Sequence, residues 1–395
     1  MRKKIYLDNA AATKLSGSTK EYLRSVLDLW GNPSSPHSAG EPVRRLIEKA
    51  RCSVAAFLNT APGNIFFVPS GSAANTLAVR GLTSDNPQEN QYEVFYSPTA
   101  HKSMRMACES CICHTPLKVT STGETDLNYL EQILTHHNRL KPLVCIEAAN
   151  SEIGTINDIH GIGSTVHRHA GILAVDATAY LPSLRADLNL WQNDVDLLTF
   201  SGHKLHALKG TGVLWKRETV TLKPLIYGSQ EGGIAGGTEN VAGIASLGHA
   251  LEGYDYSSVL PDSRDYLYNS LMRGIPDIYP VGPPVPSGNR LPQNLYLCFR
   301  GVEGESLTFL LDLNGIQVST GSACSSRDLS ASPTLTAIGM NEEDLHSCIR
   351  FSLSGQETKE ELDYVCRTLE QCVKHLRILN SKHQEETTWY TQTAL

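Results

Sequence analysis

The chain has 395 residues, 41% hydrophobic and 19% charged, with a formal net charge of -7. That length exceeds what one hydrophobic core usually supports and predicts two units, or one large α/β domain with an appendage. The acidic balance, with no basic run, argues against nucleic acid or an anionic membrane as a partner. The opening MRKKIYLDNAAATK lacks the apolar core of a signal peptide, and no window is long enough to span a bilayer, so a cytoplasmic location is expected. Ten irregularly spaced cysteines in so large a chain are expected to be reduced thiols.

The first predicted helix is PVRRLIEKARCSVAAFL, where Val43, Leu46, Ile47, Ala50, Val54 and Phe57 recur at helical spacing and Pro42 suits the entrance. Short apolar runs follow at NIFFVPS, YEVFYS, LVCIEAA, GILAVDA, DLLTFS and TGVLWK, separated by helical patterns. This alternation predicts βαβ units around a mainly parallel sheet. Between the second and third runs, CESCICH groups Cys108, Cys111, Cys113 and His114. A structural zinc site needs a second ligand knuckle and none is evident, so the segment reads as a helix end running into a strand, HTPLKVT.

Beyond about residue 250 the texture changes to a helix, the Pro- and Gly-rich IYPVGPPVPSGNRLPQN, and the short strands LYLCFRG, GIQVST and CIRFSLS. A second, smaller α+β unit is predicted there. It closes with a helix from Thr358, where Thr358 and Glu361 have capping-box spacing and Leu362, Val365, Leu369, Val373 and Leu376 form an apolar stripe. The final SKHQEETTWYTQTAL has no periodicity and predicts a frayed tail.

Three segments fall at strand ends, where open α/β sheets bind their ligands. In VPSGSAANTLAV a strand stops at Ser70-Gly71-Ser72 and a helix begins, which suits a phosphate, although plain capping gives the same pattern. In AVDATAY, Asp176 follows a strictly apolar strand, and a carboxylate at that depth must be paired or hydrogen-bonded. In TFSGHKLHALKG, Lys204 follows a strand and a Ser-Gly-His turn; desolvation there would make its amine nucleophilic, whereas most lysines are solvated surface charges. A phosphate cradle, an aspartate for a protonated ring nitrogen and a lysine for a Schiff base together describe a pyridoxal phosphate site. In VSTGSACSSRD, Cys324 sits among small polar residues, a setting that fits an ordinary loop thiol and a reactive one equally well.

The motifs YLDNAAAT, GNPSSPHSAG, NSEIG, VDAT, FSGHK, GGTEN, VEGES, GSACSS and IRFSLS occur in this order over nearly the whole chain. As a set they resemble the cysteine desulfurase family of fold-type I pyridoxal 5'-phosphate enzymes. The resemblance implies a large α/β domain over 14–250 with a mainly parallel seven-stranded sheet, and a smaller α+β domain made of 1–13 and 251–380, with 381–395 as a flexible tail. It makes Lys204 the Schiff-base lysine, Asp176 the partner of the pyridine nitrogen, and His101 the residue that stacks on the ring and assists proton transfer. Ser201 and His203, with Gly71 and Ser72, would bind the phosphate, joined by Thr238 from the second subunit of a homodimer. Ser151 would lie near the ring's phenolic oxygen. Arg350, helped by Asn32, would grip the carboxylate of L-cysteine. The thiolate of Cys324 would attack the substrate sulfur, leaving alanine and a persulfide that passes to a sulfur-acceptor protein. Iron–sulfur cluster assembly, tRNA or thiamine thiolation and sulfur modification of DNA are the pathways such a donor serves. No metal ligand set is expected.

Four positions depart from the family pattern. The second asparagine of NNEIG is Ser151, and the glutamine after VDAT is Ala179. The phosphate loop SGxTExxN is shortened to SGSAANT, with Ser72 as a substitute hydroxyl, and the arginine before GTEN is Ala235. The departures leave open a low-activity scaffold or partner-activated sulfur relay, and a selenocysteine lyase or aminotransferase that would not need Cys324. The joint presence of Lys204, Asp176, His101, His203, Arg350 and Cys324 favours a working desulfurase.

Overall fold

The computed structural model describes residues 4–136, 140–191, 193–256, 261–321 and 331–393, with side chains as far as Ser381. Its strands are β1 (Ile5–Tyr6), β2 (Ile65–Val68), β3 (Tyr92–Tyr96), β4 (His114–Pro116), β5 (Lys141–Glu147), β6 (Ile172–Asp176), β7 (Leu197–Ser201), β8 (Gly212–Lys216), β9 (Ile278–Pro280), β10 (Asn294–Phe299), β11 (Ile316–Gln317) and β12 (Cys348–Ser352). The helices are α1 (Gly17–Val26), α2 (Gly40–Leu58), α3 (Gly71–Arg80), α4 (Lys102–Glu109), α5 (Leu127–Thr135), α6 (Ile159–Arg168), α7 (Val241–Leu251), α8 (Asp262–Gly274), α9 (Gly304–Leu313), α10 (Pro333–Ala337) and α11 (Lys359–Thr393).

The unbroken apolar runs become the inner strands of one sheet covered on both faces. Seven strands lie in the order β2-β8-β7-β6-β5-β3-β4, with only β8 antiparallel to its neighbours, as the mainly parallel seven-stranded sheet of a fold-type I enzyme requires. Side chains alternate between the faces. Val144, Ile146, Leu173 and Val175 join the core under α2, α5, α6 and α7, whereas Leu143, Cys145, Ile172 and Ala174 join the core under α3 and α4. Cys108 and Cys111 are buried in that second core, where they pack as small apolar groups.

The rest of the chain builds a three-stranded antiparallel sheet, β12-β10-β9, and a parallel pair, β1-β11. Leu267, Leu307, Leu311, Leu362, Val365 and Leu369 bring α8, α9 and α11 onto one core with Ile5 and Leu7 from the N-terminus. The first strand thus belongs with the last third of the chain, and Asp8–Thr13 lead from it toward the large sheet, where Thr13 N–H donates to His203 O at 3.0 Å.

The last helix continues to Thr393, through the segment read as a non-periodic tail. No Gly or Pro interrupts 381–393, and extending an existing helix costs far less than nucleating one. Among the described residues, no helix is long and apolar enough to cross a membrane.

Candidate active site

The parallel strands end side by side, with Glu147 in register with Asp176 and Asp176 in register with Thr199. Asp176 shares the face of Ile172 and Ala174, so it meets α3 and α4. There Asn75 of α3 donates to Asp176 Oδ2 at 2.8 Å, and the Thr178 N–H donates to Oδ1 at 2.9 Å. Asn75 also donates to Ser103 Oγ at 3.0 Å and accepts from the Thr199 hydroxyl. Ser103 in turn lies 2.8 Å from His101 Nδ1, to which its own backbone N–H donates at 3.2 Å. A backbone amide can only donate, so Nδ1 is an acceptor and the neutral ring carries its proton on Nε2. Although His101 is exposed, exclusion of water by the surrounding protein pushes its pKa below the ordinary value, with the charge of Asp176 opposing and that of Lys204 adding to the shift.

Strand β7 ends in the turn Gly202–Lys204, which delivers Ser201, His203 and Lys204 to the same edge. His203 Nε2 donates to Ala11 O at 3.2 Å, so its Nδ1 accepts the Ser201 hydroxyl at 2.7 Å. Desolvation and the neighbouring Lys204 charge lower the His203 pKa. Facing Ser201 is the start of α3, capped by Ser70 Oγ accepting from Ala73 N–H at 3.1 Å. The approach depends on glycine: a Cβ on Gly71 would lie 3.0 Å from Ser201 Cβ, and one on Gly212 would lie 2.3 Å from Ser70 C. The N–H groups of Gly71 and Ser72 open the helix, have no intrahelical acceptor and suit an anion.

Arg350 reaches the same cavity from β12. It is 3% exposed; Nη2 is 2.8 Å from Asp8 Oδ1, and Nη1 donates to Ser151 O at 2.9 Å and Gly321 O at 3.3 Å. Among the described residues its buried Nε has no hydrogen-bond partner, although such groups are normally satisfied.

These side chains line a cavity of about 400 Å³ holding Gly71, Ser72, His101, Ser151, Asp176, Ser201, His203, Lys204 and Arg350 together. A larger cleft of about 900 Å³ adjoins it, and Ala10, Ser151, Ala179 and Lys204 line both. Two of the departures from the family pattern are thus small residues in the shared wall, and they leave Lys204 reachable from both sides. Asn32 and Thr238 do not line this chain's cavity. Both are exposed, and Asn32 Oδ1 accepts from Ser34 N–H at 2.8 Å. Cys324 lies outside the described residues.

Sequence reasoning passed over Asn75, Ser103, Asp8 and Glu147. The signal that singles out Asp176, a carboxylate closing an apolar strand, applies equally to Glu147. This side chain is 4% exposed, takes a 2.6 Å bond from Thr99 Oγ1 and, among the described residues, has no partner for Oε2. Burial pushes its pKa up. The native state therefore holds that proton to higher pH than the unfolded chain, whose carboxyl titrates near about 4.3, so the group costs stability as pH rises above that value. Glu147→Gln, which removes the titration, is expected to melt above wild type at about pH 8, with the gap narrowing toward about pH 5. Equal melting temperatures at the higher pH would refute this.

A lysine, a buried aspartate, a histidine over the same cavity and an anion cradle form the donor set for pyridoxal phosphate, and the residues present fit it. The cavity volume falls in the ordinary range for cofactor sites. The class-V aminotransferase model matches residues 5–365, and the chain belongs to that family, whose members are pyridoxal phosphate enzymes. Its full-length relatives include cysteine desulfurases. A cysteine desulfurase of Nostoc sp. is 35% identical, covering 98% of this chain and 96% of that protein. The cysteine desulfurase IscS of Dictyoglomus turgidum is also 35% identical, covering 98% of each. The X-ray structure of a NifS-like protein from Rickettsia africae superposes with a TM-score of 0.84 at 27% identity, over 94% of this chain and 99% of that one. SspA in complex with cysteine superposes with a TM-score of 0.76 at 26% identity, over 90% and 100% of the two chains.

Proposed function

We propose that this chain is a cysteine desulfurase that converts L-cysteine to L-alanine and takes the sulfur as a persulfide on Cys324. The observation that carries the substrate class is Arg350, a guanidinium only 3% exposed that lines the same cavity as Lys204 and Asp176. An amino-acid carboxylate matches such a guanidinium.

Pyridoxal phosphate, when bound, supplies the electron sink that acidifies the substrate's α-hydrogen. Lys204 carries the cofactor and moves the α-proton, and Asp176, oriented by Asn75, holds the ring-nitrogen proton. The N–H groups of Gly71 and Ser72 would hold the phosphate, joined by Ser201 and His203, whose mutual hydrogen bond would open to free the Ser201 proton for the anion. His101, neutral and with its proton on Nε2, lines the same cavity and would stack on the cofactor and relay protons. The Cys324 thiolate forms a bond to the substrate sulfur while the C–S bond breaks, and the electron pair left on carbon takes a proton to give alanine. A sulfur-acceptor protein then removes the persulfide sulfur.

The active unit is a homodimer in the cytoplasm, with Thr238 completing the phosphate site of the partner. Ile226 and Tyr227, 62% and 86% exposed, support this, because Ile226 O accepts from Gly236 N–H beside the Thr238 segment. Large apolar side chains exposed there suit a second copy. Residues 14–250 form the cofactor domain, and 1–13 with 251–380 form the domain that carries Cys324.

Alanine production from L-cysteine, with a reductant and added cofactor, tests the reading. Cys324→Ala is expected to keep the cofactor's visible absorbance and lose turnover by at least about 10²-fold, the scale of a missing nucleophile or proton-transfer group. Turnover equal to wild type would overturn it.

A further inference from the structure

The segment that carries Cys324 runs between two anchors that meet on one buried carboxyl. On the N-terminal side, the Tyr296 hydroxyl of β10 lies 2.9 Å from Thr320 O and 3.0 Å from Glu152 Oε1. On the C-terminal side, Ser332, the cap of α10, donates to Glu152 Oε2 at 2.8 Å and accepts from Leu335 N–H at 3.4 Å. Glu152 is 7% exposed and Tyr296 is fully buried. Gly321 is fitted against the pair: its φ is +98°, and a Cβ there would lie 2.7 Å from Glu152 Cγ and 2.9 Å from Tyr296 Oη. Its carbonyl takes the 3.3 Å bond from Arg350, so the arginine on the substrate side touches the first anchor.

Counting protons decides the state of this cluster. Tyr296 has one hydroxyl proton, and Thr320 O can only accept. Every bond is made when Glu152 carries its own proton on Oε1 and donates it to Tyr296 Oη, while Tyr296 donates to Thr320 O. An ionised Glu152 would compete with Thr320 O for the single Tyr296 proton. Burial pushes the Glu152 carboxyl above its ordinary range, in the same direction, with the hydrogen bonds of Ser332 and Tyr296 and then the charge of Arg350 opposing.

We propose that Glu152 is a positioning residue for sulfur transfer, an uncharged acid that ties Thr320 and Ser332 together through Tyr296 and so sets where Cys324 meets the substrate. The proposal rests on Cys324 being the sulfur acceptor. Glutamine reproduces the uncharged form, with an amide N–H in place of the acid O–H. Alanine removes both anchors, and Tyr296→Phe removes one hydroxyl without opening a cavity.

The test is a single turnover of holoenzyme with L-cysteine, read as the absorbance change of the cofactor on substrate binding and as persulfide at Cys324 by alkylation and mass spectrometry. Tyr296→Phe and Glu152→Ala are expected to keep the absorbance change within about twofold and to slow persulfide formation by about tenfold to 10²-fold, the cost of misplacing a reacting group. Glu152→Gln is expected to recover most of the wild-type rate. Persulfide formation at the wild-type rate in Tyr296→Phe would overturn the clamp, and Tyr296→Phe decides the matter if Glu152→Ala does not fold. A Glu152→Gln rate as low as that of Glu152→Ala would overturn the uncharged form. Full turnover in Cys324→Ala would overturn the sulfur-acceptor assignment itself, an outcome distinct from failure of the clamp alone.

Discussion

Lys204→Ala is expected to abolish the visible absorbance of bound cofactor and to lower turnover of L-cysteine by at least about 10⁴-fold, since the lysine both attaches the cofactor and moves a proton. Lys204 ends the turn after β7, and three titratable side chains beside it are held by other groups: Asp176 by Asn75 and the Thr178 N–H, His203 by Ala11 and Ser201, His101 by Ser103. Soluble, folded protein without colour, measured by absorbance beside circular dichroism, is the expected result. A variant that stays coloured and active would remove Lys204 from the mechanism.

Arg350→Lys is expected to lower kcat/KM for L-cysteine by about 10²-fold, which is about 2.8 kcal/mol at 1.4 kcal/mol per decade, mostly through KM. Lysine keeps a charge for Asp8 but cannot donate from a planar fork to Asp8, Ser151 O and a substrate carboxylate together. Arg350→Ala is the harsher change. It leaves Asp8 without its partner, and breaking a buried pair in that way costs about 3–5 kcal/mol, with the partial exposure of Asp8 favouring the lower figure. Steady-state kinetics of the two variants, with thermal melts, separate the lost substrate contact from the lost ion pair. An unchanged KM in Arg350→Lys would place the substrate carboxylate elsewhere.

Several parts of this site were legible in the chain because their signals are local. Strand β6 and Asp176 are adjacent in sequence, as are β7 and Lys204, and the turn Ser70–Ser72 directly precedes its helix. Glu147 carried the same strand-end signal and was legible in principle. The hydrogen-bond network was not. Asn75 and Asp176 are 101 positions apart, Tyr296 and Glu152 are 144 apart, Ser332 and Glu152 are 180 apart, and Asp8 and Arg350 are 342 apart. Periodicity assigns a residue to a face of its own element and says nothing about which distant element covers that face.

By itself, then, the sequence determined the alternation of strands and helices, the polar groups at strand ends and, through its ordered motifs, the family. These depend on side-chain period and turn chemistry within a few residues of each position. Only the tertiary structure decided that His101 presents Nε2–H, that Arg350 pairs with Asp8, and that both anchors of the Cys324 segment meet on Glu152. Those outcomes follow from close packing of elements far apart in the chain, where each buried polar group must find a partner or carry the cost of having none.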